Sequence, residues 1–82
     1  MIKLEANERI DWFFIFCNLK QNGYSVYDVS REIGIPESTM RAWKSKTCRP
    51  KFEEAVKLIE LWRKVTQSDV EKIPIYNVYR DF

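Results

Sequence analysis

Apolar residues recur with a helical period over most of this chain and lose that period near its end. Asn7 is a cap candidate, and Glu8 and Asp11 suit the first turn of a helix over about residues 7–22. Ile10, Phe13, Phe14 and Cys17 mark one face of it, and Trp12, Ile15, Phe16 and Leu19 widen the apolar surface almost all round. A helix that is apolar on two sides is either wrapped by its own domain or carries an interface. Gly23 stands where a left-handed residue would end it.

Ser25 with Asp28 three residues on is close to a capping box and opens a second helix over about 26–33. Val26, Val29 and Ile33 share its face, and Gly34 ends it. Pro36 lacks the N–H that a first turn leaves unpaired anyway, so a third helix is expected over about 36–45, with Met40 and Trp43 on its inner side. Pro50 precedes a fourth helix with Glu53 and Glu54 in its first turn. Phe52, Ala55, Val56, Ile59, Trp62 and Val65 are read as its buried stripe, extended by Leu58 and Leu61. Ser68-Asp69 is a break. Beyond it Ile73, Ile75, Tyr76, Val78, Tyr79 and Phe82 crowd a segment in which Pro74 forbids a central strand position. That segment reads as an extended arm or edge strand, packed on its own domain or paired with another chain.

The chain has 82 residues, enough for one domain spanning 1–82. A domain of this size buries roughly 60–65% of its unfolded surface, so its core must be dense. A hydrophobic content of 45% supplies that core, and the longest unbroken apolar run, Trp12 to Cys17, is far short of a membrane span. The opening Met-Ile-Lys-Leu-Glu carries an acid where a secretory signal would be apolar. Cys17 and Cys48 make no disulfide framework, and their use fits a reducing, cytoplasmic setting. The chain has no histidine, which removes His-based triads and metal sites. No Gly-rich phosphate loop or nucleophile–base pair is seen either, so neither catalysis nor a cofactor or metal is expected. No membrane partner or small-molecule effector is evident.

Charge placement says more than the net charge of +2. Between Ser38 and Phe52 stand Arg41, Lys44, Lys46, Arg49 and Lys51 with no acid, which leaves the remainder mildly acidic. Such asymmetry suits a polyanion-binding face, although basic residues also suit the solvated end of a helix.

Residues 25–45 combine two short helices with a turn built on Gly34. Ser30 is the small residue where the helices must approach, Ile35 plugs the turn into the core, and Gly34 suits a positive φ. The run Val29-Ser30-Arg31-Glu32-Ile33-Gly34-Ile35-Pro36-Glu37-Ser38-Thr39-Met40-Arg41-Ala42-Trp43 resembles the helix-turn-helix of the Cro/repressor-like, phage-type DNA-binding family. Pro50 stands seven residues after Trp43, as a proline often does in that family. The likeness covers about residues 25–65. The family commonly has Ala in place of Ser30, and Glu-x-Gly where this chain has Lys44-Ser45-Lys46.

The chain thus reads as an all-α, compact four-helix domain with a helix-turn-helix at about 25–45, plus an extended or short-strand C-terminal arm at about 69–82 that the resemblance does not cover. The resemblance implies a third helix lying in the major groove of double-stranded DNA. Its base-reading positions fall on Glu37, Ser38, Arg41 and Ala42, with Thr39 beside them. Arg41 has the fork that can hold guanine O6 and N7 together. Phosphates would be met by Ser25 and by Lys44, Lys46, Arg49 and Lys51. The implied function is a small transcriptional regulator, a repressor of phage or mobile-element type, in the cytoplasm of a bacterial or phage-infected cell. A reading head this small is expected to act as a homodimer. Its dimer surface would come from the surplus apolar residues: Trp12 and Phe16, Leu61, or Ile75, Tyr76 and Tyr79 in the tail. The alternatives are a protein-binding module on the same scaffold, such as an inhibitor of a host defence or transcription complex, and an architectural DNA binder without sequence preference.

Overall fold

A computed structural model of the chain describes Leu4 and residues 8–77. Strand β1 (Glu8–Ile10) leads into helices α1 (Trp12–Gln21), α2 (Val26–Ile33), α3 (Glu37–Lys44) and α4 (Phe52–Thr66). A turn of 3-10 helix at Val70–Lys72 and strand β2 (Ile75–Asn77) follow. The two strands pair antiparallel, with Arg9 opposite Tyr76 and Ile10 opposite Ile75. The expectation of four helices and a short C-terminal strand is met, and of the two pairings left open for that strand it takes the one with a partner in its own domain, so the small sheet departs from an all-α fold.

That partner is the segment assigned above to the start of the first helix. Glu8, Arg9 and Ile10 are extended, and the Asp11 N–H donates to the Pro74 carbonyl at 2.8 Å. The helix therefore begins later, where Asp11 Oδ1 accepts from the Phe14 N–H at 3.1 Å. Asn7, the cap candidate, lies outside the described residues.

Starting α1 at Trp12 also fixes its rotation. Trp12, Ile15, Phe16 and Leu19 face inward and are buried. Phe13 and Phe14 face outward, 48% and 53% exposed, with half-buried Cys17 beside them. The two apolar faces are thus core and surface, in the opposite sense to a core built on Ile10, Phe13, Phe14 and Cys17. A similar rotation applies to α4. Leu58, Leu61 and Trp62 are its buried centre, Ala55, Ile59 and Val65 flank it, and Phe52 is 78% exposed.

The α2–α3 unit follows its local signals closely. Ser25 and Asp28 form the capping box: the Asp28 N–H donates to Ser25 Oγ at 3.2 Å, and the Ser25 N–H donates to Asp28 Oδ2 at 3.0 Å. Gly34 caps α2 with φ 76°, and its N–H donates to Ser30 O. Ile35 is buried in the turn, and the Ser30 hydroxyl donates to the Ile35 carbonyl at 2.7 Å. Ser30 thus does more than leave room, because it ties α2 to the turn. On α3, Met40 and Trp43 are fully enclosed. The core joins all four helices, with Trp12 and Trp43 in ring contact and Ile73 of the tail closing it.

Candidate nucleic-acid interface

Met40 and Trp43 fix the phase of α3, since residues advance about 100° each around a helix. Ser38 and Arg41 then fall on the outward face and are exposed. Glu37, Thr39 and Ala42 are half-buried around them. The five positions assigned to base reading therefore share one helix, with Thr39 turned furthest toward the core. Arg41 Nη2 donates to Glu37 Oε1 at 2.9 Å, one turn back. This takes one of the five N–H groups of the guanidinium and leaves a two-donor fork for another acceptor.

The basic residues divide by partner. Lys46 lies 3.8 Å from Asp11 Oδ1, and its ammonium stands 4.8 Å from the centre of the Tyr76 ring. Lys44 is half-buried, with Nζ 6.0 Å from the Phe16 ring centre. Arg49 and Lys51 are exposed. Among the described residues, no carboxylate lies within ion-pair distance of Lys44, Arg49 or Lys51. The segment after α3 therefore keeps most of its positive charge uncompensated at short range.

Lys46 adopts φ 63°. A left-handed residue thus stands at the position where the resemblance leads to an expectation of glycine. The Lys46 N–H donates to Trp43 O, and the Thr47 N–H to Ala42 O, which closes α3.

Ser25 is placed differently from its expected role. Its hydroxyl donates to Asp28 Oδ2 at 2.9 Å while accepting the Asp28 N–H. The hydroxyl is thereby committed to the cap, and a carboxylate stands at the helix end where a phosphate contact was expected. Three of the residues named for a dimer surface also need correction. Trp12, Phe16 and Leu61 are 8%, 4% and 6% exposed and belong to the core. The outward side of α1 instead carries Phe13 and Phe14. Ile75 is exposed, Tyr76 is half-buried, and Tyr79 lies outside the described residues. Sequence reasoning passed over Phe13, Phe14 and Phe52 as surface features, because each belongs to an apolar stripe of helical period.

No helix among the described residues is long and apolar enough to cross a membrane. Neither the family models, the curated proteins nor the solved structures compared with this chain give a match.

Proposed function

We propose that the protein binds double-stranded DNA in a sequence-dependent manner, as a small regulator of phage or mobile-element type, with α3 as its reading helix. The observation that carries this reading is the outward face of α3. Ser38, Arg41 and Ala42 stand on a short helix held from behind by Met40 and Trp43, beside Lys44, Arg49 and Lys51, which have no carboxylate within ion-pair distance among the described residues. In this reading α2 and α3 act as a helix-turn-helix, Arg41 reads guanine, and the basic residues meet phosphates. A homodimer on a two-fold-related site supplies the rest of the affinity. Strand β2 suits that dimer, since its outer edge carries no further strand among the described residues.

Selection from a random duplex pool tests the proposal, with wild type and Arg41→Ala compared across a salt series. The expected result is enrichment of a palindrome that Arg41→Ala loses, with a log–log salt slope near −0.9 per phosphate contact. Retention of duplex without enrichment would replace the regulator with an architectural binder. A folded protein that retains no duplex at low salt would overturn the reading.

A second reading, a protein-binding module, is favoured by the outward aromatic residues Phe13, Phe14 and Phe52. It differs in its dependence: binding would survive Arg41→Ala and fail on Phe13→Ser with Phe14→Ser.

A further inference from the structure

A cleft of about 430 Å³ opens between β1, the α3–α4 loop and β2. Trp12 and Trp43, whose ring centres lie 6.5 Å apart, are among its lining. Around it stand Arg9, Lys46, Arg49 and the ring of Tyr76. Among the described residues no Asp or Glu lines it, and Asp11 lies just outside, 3.8 Å from the Lys46 ammonium. The cleft size lies within the range of roughly 300–1,000 Å³ typical of small-ligand sites. The loop's own N–H groups are already used, since Lys46, Thr47 and Cys48 donate to carbonyls of Trp43 and Ala42. Any ligand is therefore met by side chains, cations and flat rings together.

Each half of that lining is unselective alone. Cations accept any anion, and an aromatic wall accepts any flat ring. Together they favour a ligand that carries both at the span of one cleft, which is the chemistry of a phosphorylated nucleoside. We propose that this cleft binds a nucleotide unit, with its phosphate on Arg49 and Lys46 and its base against Tyr76. Lys46 makes the exchange possible. Its ammonium now covers the Tyr76 ring at 4.8 Å, and a phosphate draws it away by offering a charge-assisted hydrogen bond. The base then takes the ring face that Lys46 leaves. Lys46, which has a left-handed backbone, is itself part of the lining, in line with the tendency of strained residues to cluster at binding sites. The inference does not rest on the duplex reading: the cleft shares Arg49 with the basic residues proposed to meet duplex phosphates, but none of its lining residues lies on the outward face of α3.

The test is a titration of the full chain with adenosine monophosphate, adenosine, inorganic phosphate and a 5′-phosphorylated single-stranded tetranucleotide. Intrinsic tryptophan fluorescence reports it, because two of the three tryptophans line the cleft. Saturable binding of the monophosphate, about tenfold tighter than adenosine or phosphate alone, is the expected result. Arg49→Ala should weaken it about tenfold at an unchanged melting temperature, since Arg49 is an exposed loop residue. Tyr76→Leu should remove about tenfold of the preference for the monophosphate over phosphate. Binding of the tetranucleotide but not of the free monophosphate assigns the same site to a strand end. Equal binding of phosphate and monophosphate, with Tyr76→Leu silent, would reduce the cleft to a basic patch and overturn the proposal. So would no saturable response to any of the four. No duplex enters the experiment, so a failure of DNA reading and a failure of this site are told apart.

Discussion

Arg41 and Glu37 pair across one turn of α3, Nη2 to Oε1 at 2.9 Å, on the face proposed to meet DNA. The Arg41 side chain is 63% exposed, so the pair contributes only about 0.3–0.5 kcal/mol to the helix. Its larger consequence is electrostatic. Glu37 holds a negative charge against a polyanion and restrains the guanidinium that would read guanine. Glu37→Gln should leave thermal stability nearly unchanged and tighten binding to a selected duplex several-fold at low salt. The gain should shrink as salt rises, because screening weakens the repulsion that the wild type suffers. Anisotropy titrations at two salt concentrations, beside a thermal melt, measure both effects. A loss of affinity would mean that Glu37 itself contacts a base.

Gly34 has φ 76°, and a Cβ placed on it would meet no atom within 4 Å. Gly34→Ala therefore creates no clash, and its effect is confined to the backbone. A non-glycine residue in the left-handed region costs about 1–2 kcal/mol. For a domain of this size that lowers the melting temperature by roughly 4–8 °C per kcal/mol. Because Ser30 ties α2 to Ile35, the turn should keep its geometry. Calorimetry should thus report a lower melting temperature with an unchanged far-ultraviolet spectrum at 25 °C. A full loss of helix would show that the turn is set by more than its glycine.

Much of the α2–α3 unit was legible because its signals are local. The Ser25–Asp28 cap, Gly34 and the Met40–Trp43 spacing lie within a few residues of what they control. The face of α3 follows directly from that spacing, which puts Arg41 on the side away from Met40 and Trp43. The phase of α1 was not legible. Ile10, Phe13, Phe14 and Cys17 repeat at the same intervals as Trp12, Ile15, Phe16 and Leu19. Periodicity cannot choose between them. The choice is made by β2, which pairs with Glu8–Ile10 and excludes Ile10 from the helix. The same distance in sequence hid the Lys46 contacts with Asp11 and Tyr76, which no local pattern encodes.

Leu58 and Phe52 lie on one helix and were read as one apolar surface, yet Leu58 is fully buried and Phe52 is 78% exposed. Leu58→Ala should cost about 2–5 kcal/mol through lost contacts and the cavity left behind. Phe52→Ala should stay within about 0.5 kcal/mol, as surface substitutions usually do. Urea denaturation of the two variants measures the gap directly. Comparable losses would mean that Phe52 is covered in solution, by a second copy or another partner. Repeating the measurement across protein concentrations separates those outcomes, since self-association makes the loss concentration-dependent.

Lys46 sets two opposed terms against each other at a single position. Its φ of 63° carries a backbone cost of about 1–2 kcal/mol for a residue with a Cβ. Its ammonium returns part of that through the Tyr76 ring and the 3.8 Å contact with Asp11, each worth about 0.5–1 kcal/mol at such an exposed site. Replacement by alanine removes the contacts and keeps the strain. Replacement by glycine removes the contacts and relieves it. Lys46→Gly should therefore be more stable than Lys46→Ala by about 1 kcal/mol, the reverse of the usual ranking of these two residues within a helix. The glycine variant should lie within about 1 kcal/mol of the wild type, since its gain and its loss nearly cancel. Both variants should bind a phosphorylated ligand more weakly, because both lack the ammonium. Chemical denaturation of the three proteins, run beside the nucleotide titration, separates the backbone term from the charge term. A glycine variant no more stable than the alanine one would show that the loop leaves its left-handed turn when the lysine is lost.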